Sequence, residues 1–262
     1  MPPLVAVAHG SSDPRAAATV NDLVGIVAGR AQLAGLPSLQ ARAAYLGHAL
    51  PSVPAVLESL GGSGERAVAV LPLLLTPAYH SDTDLPAVLR EAQGRLPELR
   101  IRYGSPLGPH RLLLRGLERR LAEVGTAVHP GTTTVASTTG VVLAAAGSSR
   151  PRANAAVALM AAQWRSARGW SAVVPAYASA ASPTPGDAVT GLLRSGVKRV
   201  VVATYLLAPG LFADQVREQS LAAGAHAVSA PLGAAPEVAD VIIERYLRVA
   251  RAEAEARSRA SR

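Results

Sequence analysis

Short apolar runs alternate with longer amphipathic segments along most of the chain. The runs at residues 5–8 and 67–75 are too short for ordinary helices and are almost uninterrupted, which is typical of strands covered on both faces of a parallel sheet. After Pro14, Val20 and Leu23 follow at helical spacing. Strands that alternate with amphipathic helices predict an α/β fold.

The order of elements occurs twice. Strands are predicted at residues 5–8, 39–46, 67–75, 99–103, 141–145, 172–178, 199–207 and 225–229. The fold class is therefore two tandem flavodoxin-like domains, each with a four-stranded parallel sheet and helices on both faces. The predicted boundaries are 1–125 for the first domain, 126–139 for a linker without periodicity and 140–262 for the second.

The first strand ends at a polar motif that the second half copies incompletely. His9-Gly10-Ser11 precedes a predicted helix N-terminus, and Ala146 takes the place of the histidine in the copy. A histidine present in only one of two matching scaffolds indicates a role other than maintaining the fold. Because ligands bind at the carboxyl ends of parallel strands, His9 is a candidate site residue.

A second histidine shows the same asymmetry. His80 follows the third strand, and the aligned position in the second half is Phe212. If the first and third strands are neighbours, both imidazoles reach one crevice, where imidazole can bind a transition metal or accept a proton. His48 follows the second strand and is either a third member of this rim or an exposed turn residue. His110, His129 and His226 are read as structural or surface residues.

Other polar residues near these strand ends have two readings each. Asp82 and Asp84 either cap the following helix, or they orient His80 or guide a cation. Gly10 and Ser11 can offer backbone N–H groups to a carboxylate at a helix N-terminus. Arg15 either binds the same anion or pairs with a surface aspartate.

Composition narrows the function classes. The chain has 262 residues, no cysteine and a formal net charge of +8. Thiolate metal sites and cysteine nucleophiles are thereby excluded. No signal-like or membrane-spanning segment is recognised, so a cytoplasmic protein without a membrane partner is expected. The charge favours an anionic partner, and no recognition motif indicates nucleic acid.

Three segments together resemble a known family. His9-Gly10-Ser11, the segment from Leu74 to His80, and the segment from Ala44 to Ser52 look like those of the class II tetrapyrrole chelatases, the sirohydrochlorin ferrochelatases and cobaltochelatases. The resemblance covers nearly the whole chain, in the two-domain, chelatase-like form. In one respect the chain departs from the family, because Gly47 stands where many relatives carry an acidic residue.

The resemblance implies a function and a site. It implies ATP-independent insertion of a divalent metal into sirohydrochlorin, on the way to siroheme or cobalamin. Fe²⁺ or Co²⁺ would be the metal substrate, with Ni²⁺ or Zn²⁺ as alternatives, and no organic cofactor is needed. His9 and His80 match the catalytic, metal-binding histidines. The substrate-binding candidates are Gly10, Ser11, Arg15, His48 and Tyr79, with Arg150 and Arg152 as further candidates for the substrate's carboxylates.

Two other function classes stay open. One is a metal or tetrapyrrole carrier without turnover, for which Gly47 in place of an acid is the best argument. The other is a two-domain periplasmic-type binding protein, against which the strand-end histidines and the absence of a signal segment argue. The tandem copies predict a monomer with an internal pseudo-twofold, with a dimer as the alternative.

Overall fold

The structure, a computed structural model, describes residues 1–76, 84–126 and 133–260. In the first half the strands are β1 (Leu4–Ala8), β2 (Ala41–Tyr45), β3 (Ala67–Pro72) and β4 (Arg100–Tyr103). The helices of that half are α1 (Pro14–Leu33), α2 (Val53–Gly62), α3 (Leu85–Arg95) and α4 (Arg111–Glu123).

The second half repeats this order behind one additional short helix. Its strands are β5 (Thr139–Ala145), β6 (Ala172–Tyr177), β7 (Arg199–Tyr205) and β8 (Ala227–Val228). Its helices are α5 (Thr133–Thr138), α6 (Pro151–Arg168), α7 (Pro185–Arg194), α8 (Leu211–Ala222) and α9 (Pro236–Ala260).

Both sheets are parallel, in the order β2-β1-β3-β4 and β6-β5-β7-β8 over the described residues. The predicted fold class is confirmed, as is the neighbourhood of β1 and β3, in which Val7 pairs with Pro72. The near-continuous apolar runs of β1 and β3 are buried throughout. This burial is expected of central strands with helices on both faces.

The chain forms two compact units, which do not follow the predicted boundaries of 1–125, 126–139 and 140–262. One unit comprises Met1–Gly108 and Ala234–Arg262, and the other comprises Pro109–Gly233. The last helix of each sequence half therefore belongs to the unit built on the other half's sheet. The segment predicted as a linker also differs, since it includes α5, which runs directly into β5.

In the first unit, α2 and α3 pack on one face of the sheet, over Val5, Val7, Val68 and Val70. Helices α1 and α9 pack together on the other face, where α9 lies against β3. The buried residues Val238, Val241 and Ile242 form the apolar stripe of α9. Their helical spacing supplies the buried face that this side of the sheet needs.

In the second unit, α4 packs against β7 in the corresponding way. Its buried leucines are Leu113, Leu117 and Leu121. The Glu118 carboxylate accepts hydrogen bonds from Trp164 Nε1 at 2.9 Å and from Arg168 Nε at 2.6 Å. These charge-assisted bonds fix α4 to α6 in addition to the apolar contacts.

Tyr246 ties α9 to the start of the chain, and this contact predicts a pH-dependent stability. Its hydroxyl donates to the Pro2 carbonyl at 2.8 Å, and burial raises the pKa of Tyr246 to about 12. The raised value means that the unfolded chain loses this proton first, near pH 10. The contribution to stability is therefore complete below pH 10 and falls as the pH rises towards 12.

Between pH 10 and pH 12 the free energy of unfolding should fall less in Tyr246→Phe than in the wild type, because the variant has no phenol to ionise at this position. The difference between the two falls should reach about 2 kcal/mol. Urea unfolding at a series of pH values measures the difference. Because Tyr45, Tyr177 and Tyr205 are present in both proteins, their own raised pKa values largely cancel in the comparison. Parallel stability curves for the two proteins over this range would contradict the expectation.

Candidate functional site

The first candidate residue, His9, follows β1 directly and is exposed. Two residues later, Ser11 Oγ accepts a hydrogen bond from the Asp13 backbone N–H at 3.1 Å. The Asp13 side chain then caps α1, and Pro14 occupies the first turn of that helix. This strand, turn and helix therefore have the geometry that the sequence predicts, with His9 at the carboxyl edge of the sheet.

Arg15 has a partner within the same turn. Its Nη2 lies 2.6 Å from Asp13 Oδ2, and its Nε lies 3.0 Å from the same oxygen. These side-chain hydrogen bonds, followed by the one from the Arg15 backbone N–H, lower the pKa of Asp13. Of the two readings that the sequence allows for Arg15, the structure shows pairing with an aspartate.

The loops after β1 and β2 run alongside each other. The β-ladder continues beyond both strands, because Gly47 N donates to the His9 carbonyl at 3.0 Å. Gly10 has φ +94°, and a Cβ built there would lie 1.6 Å from the Gly47 carbonyl oxygen. A glycine is thus required at position 10, both for the backbone angle and for the approach of the two loops.

This approach brings His48 to His9. The two ring centroids lie 6.5 Å apart with a tilt of 53° between the planes. His48 is exposed and has φ 57°, an angle that normally costs a non-glycine residue about 1–2 kcal/mol. The unusual backbone angle is therefore part of the arrangement that carries the second imidazole to the first.

The separation sets a limit on a shared cation. With metal–nitrogen bonds of about 2.0–2.1 Å, two imidazole centroids are about 5–6.5 Å apart across one metal ion, depending on the angle at the metal. The observed 6.5 Å corresponds to nitrogens on opposite sides of the metal, so a tetrahedral site would need the rings to move closer by about 1 Å. In the described part of the chain, no group of three His, Asp or Glu side chains is placed to hold a metal.

The second unit has the same loops without the imidazoles. The Tyr45 hydroxyl donates to the Ala17 carbonyl, and the Tyr177 hydroxyl donates in the same way to the Asn154 carbonyl. Ala146 takes the position of His9, and Ala180, with φ 55°, takes that of His48. Since alanine supports the same backbone in the second unit, neither histidine is needed to build the loop.

The sequence contained a signal for this second correspondence. Tyr45 and Pro51 are six positions apart, as are Tyr177 and Pro183, and in both pairs the tyrosine N–H donates to the proline carbonyl at 3.0 Å. Aligning on this spacing sets His48 against Ala180. What the sequence could not provide is the distance between His48 and His9.

The structure describes only some of the other candidate residues. His80, Tyr79, Asp82 and His129 lie outside the described residues. Asp84 is the N-cap of α3 and makes no side-chain capping bond. His110 caps α4, with Nδ1 accepting from the Leu112 N–H at 3.2 Å.

The two other arginine candidates lie at the start of one helix of the second unit. Arg150 is the N-cap residue of α6 and Arg152 is an exposed residue of its first turn. Within the described ranges, no helix has the length and apolarity that a bilayer crossing requires.

Comparisons with known proteins give a consistent picture. The sequence model of the CbiX family matches residues 3–124 and 140–249, within the two predicted repeats. A sirohydrochlorin cobaltochelatase of Priestia megaterium is 28% identical over 181 residues, which cover 69% of this chain and 58% of that protein. A sirohydrochlorin ferrochelatase of the same organism is 26% identical over 175 residues, or 67% and 63% of the two chains. The match therefore spans about three fifths of the length of these relatives.

The solved structures agree with the fold. The structure of SirB from Bacillus subtilis with Fe³⁺ superposes with a TM-score of 0.78 and 23% identity, and the match covers 97% of this chain and 98% of that one. A similarity of this extent supports the tandem arrangement described above. With both repeats matched over most of their length, the chain belongs to the CbiX family.

Proposed function

We propose that the protein inserts a divalent metal, Fe²⁺ or Co²⁺, into sirohydrochlorin. The observation that carries the proposal is the pair of imidazoles, His9 and His48, at the carboxyl edge of a CbiX-family sheet. Relatives named for insertion of cobalt and of iron into this ring support the same activity. The metal is a substrate here and leaves with the product.

The reaction requires a metal ligand and a proton acceptor at one place. Two pyrrole N–H bonds break, the metal forms bonds to all four ring nitrogens, and two protons leave the ring. An imidazole can hold the cation on one side of the ring before it enters, and once its lone pair is released it can take up a proton. His9 and His48 are close enough to share these tasks, and we propose His80 as a further catalytic and metal-binding residue.

The same histidine pair can compensate for the acidic residue that Gly47 replaces. The Gly47 position has no side chain, and a Cβ there would meet nothing within 4 Å. His48, the next residue, presents its ring within 6.5 Å of the His9 ring. We propose that His48 takes the role for which relatives use the acidic residue, with an imidazole in place of a carboxylate.

The anionic macrocycle needs donors around this edge. The backbone N–H groups of Gly10 and Ser11 precede the N-terminus of α1, where the helix dipole favours a carboxylate. We propose that they, together with Tyr79, contact the substrate. We propose Arg15 as a further substrate contact; because its guanidinium is bound to Asp13, the pair has no net charge, and the contact would be a hydrogen bond more than a long-range attraction.

The proposal is tested by following the absorbance of sirohydrochlorin after addition of Co²⁺ or Fe²⁺. Insertion faster than the spontaneous reaction, at catalytic protein concentration, is the expected result. Tight binding of the ring without acceleration would instead identify a carrier. If the protein neither accelerates insertion nor binds the ring, both functions are excluded.

For His48→Ala we expect kcat/KM for insertion to fall about tenfold or more, because one of the two paired imidazoles is lost. The fold should be unchanged, since Ala180 adopts the same backbone angle in the second unit. His226→Ala, at an exposed position of the second unit, is the matched control. An unchanged rate in His48→Ala would remove His48 from the mechanism.

A further inference from the structure

Strand β2 forms one edge of the first sheet, with β1 on its inner side. The Leu4 N–H donates to the Gln40 carbonyl at 2.8 Å, directly before β2 begins. Because the backbone groups of successive strand residues point in alternate directions, the even-numbered residues of β2 face β1 and the odd-numbered residues face outwards. Ala41 and Ala43 therefore direct their N–H and C=O groups away from the sheet.

The outward-facing groups of Ala41 and Ala43 have no partner in the part of the chain that the structure describes. The next outward-facing residue, Tyr45, does have one, since its N–H donates to the Pro51 carbonyl at 3.0 Å. Two N–H and two C=O groups are thus left open over about 7 Å of strand. An open edge of this kind is a template for pairing with another strand.

The open groups lie in a cleft of about 410 Å³. Asn21 and Val24 line it from α1, Ala55 and Ser59 line it from α2, and β2 lies between the two helices. The volume is within the range of small-ligand sites, about 300–1,000 Å³. Because helices stand on both sides of the strand, the cleft suits a narrow occupant such as one extended chain.

The second unit closes the equivalent edge with a proline. Pro175 lies two residues before Tyr177 on β6, as Ala43 lies two residues before Tyr45 on β2. Both tyrosine N–H groups donate outwards to a proline carbonyl, so Pro175 and Ala43 face outwards in the same way. Proline has no N–H and protects an edge strand from further pairing. Alanine at this position leaves the edge of the first unit open.

Arg42 gives the open edge a positive charge. Its side chain is exposed, Nη1 donates to the Ser59 hydroxyl oxygen at 3.2 Å, and no carboxylate of the described residues binds it. If two copies of β2 paired symmetrically through Ala41 and Ala43, the two Arg42 side chains would lie directly opposite each other, which is unfavourable. A carboxylate is the complementary group, in keeping with the net charge of +8.

We propose that this edge binds an extended acidic peptide of a partner protein, which joins the sheet as an antiparallel strand. In such a pair Ala41 and Ala43 each exchange two hydrogen bonds with one peptide residue, and the peptide residue between these two lies opposite Arg42. The recognised unit is therefore three residues long, with a carboxylate at its centre. Main-chain bonds supply the affinity, and the carboxylate opposite Arg42 supplies the specificity.

The probe for this site is a blocked pentapeptide with the sequence threonine-valine-glutamate-valine-threonine, whose valines are set against Ala41 and Ala43. One matched peptide carries N-methyl groups on both valines, and another has lysine in place of glutamate. NMR titrations are followed through the amide resonances of Ala41 and Ala43. We expect saturable binding to wild type that is at least about tenfold tighter than that of either matched peptide.

Two variants and one control test the same contacts from the side of the protein. Ala43→Pro copies the second unit and should abolish binding, and Arg42→Ala should remove the preference for glutamate over lysine. Arg90→Ala, at an exposed position of α3, should bind the peptide as wild type does. Thermal melting verifies the fold of each variant, and the N-methylated peptide tests strand addition on wild type even if Ala43→Pro does not fold.

The results that overturn the proposal are specific. Strand addition is refuted if millimolar peptide leaves the Ala41 and Ala43 amides unchanged, if the N-methylated peptide binds equally well, or if folded Ala43→Pro binds as wild type does. Equal affinities for the glutamate and lysine peptides refute the acidic partner. A wild-type dimer in analytical ultracentrifugation that Ala43→Pro dissociates would assign the edge to a second copy of the chain instead.

Discussion

Replacing His9 by alanine is expected to lower the rate of metal insertion by about 100-fold or more. A positioned base or ligand contributes about 10²–10⁴ to rates of this kind, and in the proposed mechanism His9 has both roles. It is exposed, follows β1 at the carboxyl edge and shares its surroundings with His48. Steady-state insertion of Co²⁺ into sirohydrochlorin measures the loss.

The second unit provides the reason to expect an intact fold in this variant. Ala146 occupies the same position after β5, and the Ser179 N–H donates to its carbonyl at 2.9 Å, as the Gly47 N–H does to the His9 carbonyl. His9→Ala should therefore unfold at the same urea concentration as wild type, and His226→Ala should keep its activity. Insertion at the wild-type rate by His9→Ala would refute the proposed site.

Replacing Gly10 by alanine is expected to destabilise the protein by about 3 kcal/mol or more. A Cβ at this residue would lie 1.6 Å from the Gly47 carbonyl oxygen, and the backbone has φ +94°. The angle alone costs about 1–2 kcal/mol for a residue with a Cβ, and relieving the overlap must move one loop away from the other. Urea unfolding measures the stability, and the insertion assay measures the effect on the histidine pair.

Two further glycines separate these effects. Gly147 has the same environment in the second unit, where a Cβ would lie 1.9 Å from the Ser179 carbonyl oxygen. Gly147→Ala should destabilise to a similar extent while the folded protein retains its activity, whereas Gly10→Ala should lose activity even when folded. Gly25→Ala, inside α1 with nothing within 4 Å of the new Cβ, should be neutral or slightly stabilising. Equal stability of Gly10→Ala and Gly25→Ala would contradict the expected overlap.

The sequence predicts the local features of this fold better than the contacts between distant segments. The apolar runs of β1 and β3 specify parallel strands because covered strands have few other compositions, and the turn after β1 follows from Gly10, Asp13 and Pro14. These features are local. The sequence therefore predicts the strands, the first-strand turn and the edge at which His9 lies.

Contacts between segments that are distant in the sequence are harder to predict from it. The stripe of α9 shows that a face is buried, but amphipathicity does not specify which sheet covers it, and the sequence order favoured the wrong one. The pairing of His48 with His9 depends on a left-handed residue and a glycine contact between two loops.

The exchange of final helices has a consequence for how the protein is made. During translation the strands of the first sheet are synthesised before the second unit, but α9, which packs on one face of that sheet, is synthesised only after it. The second unit, formed by the continuous stretch Pro109–Gly233, is complete sooner. The first unit should therefore mature after the second, and until α9 arrives the apolar face of its sheet stays exposed to solvent.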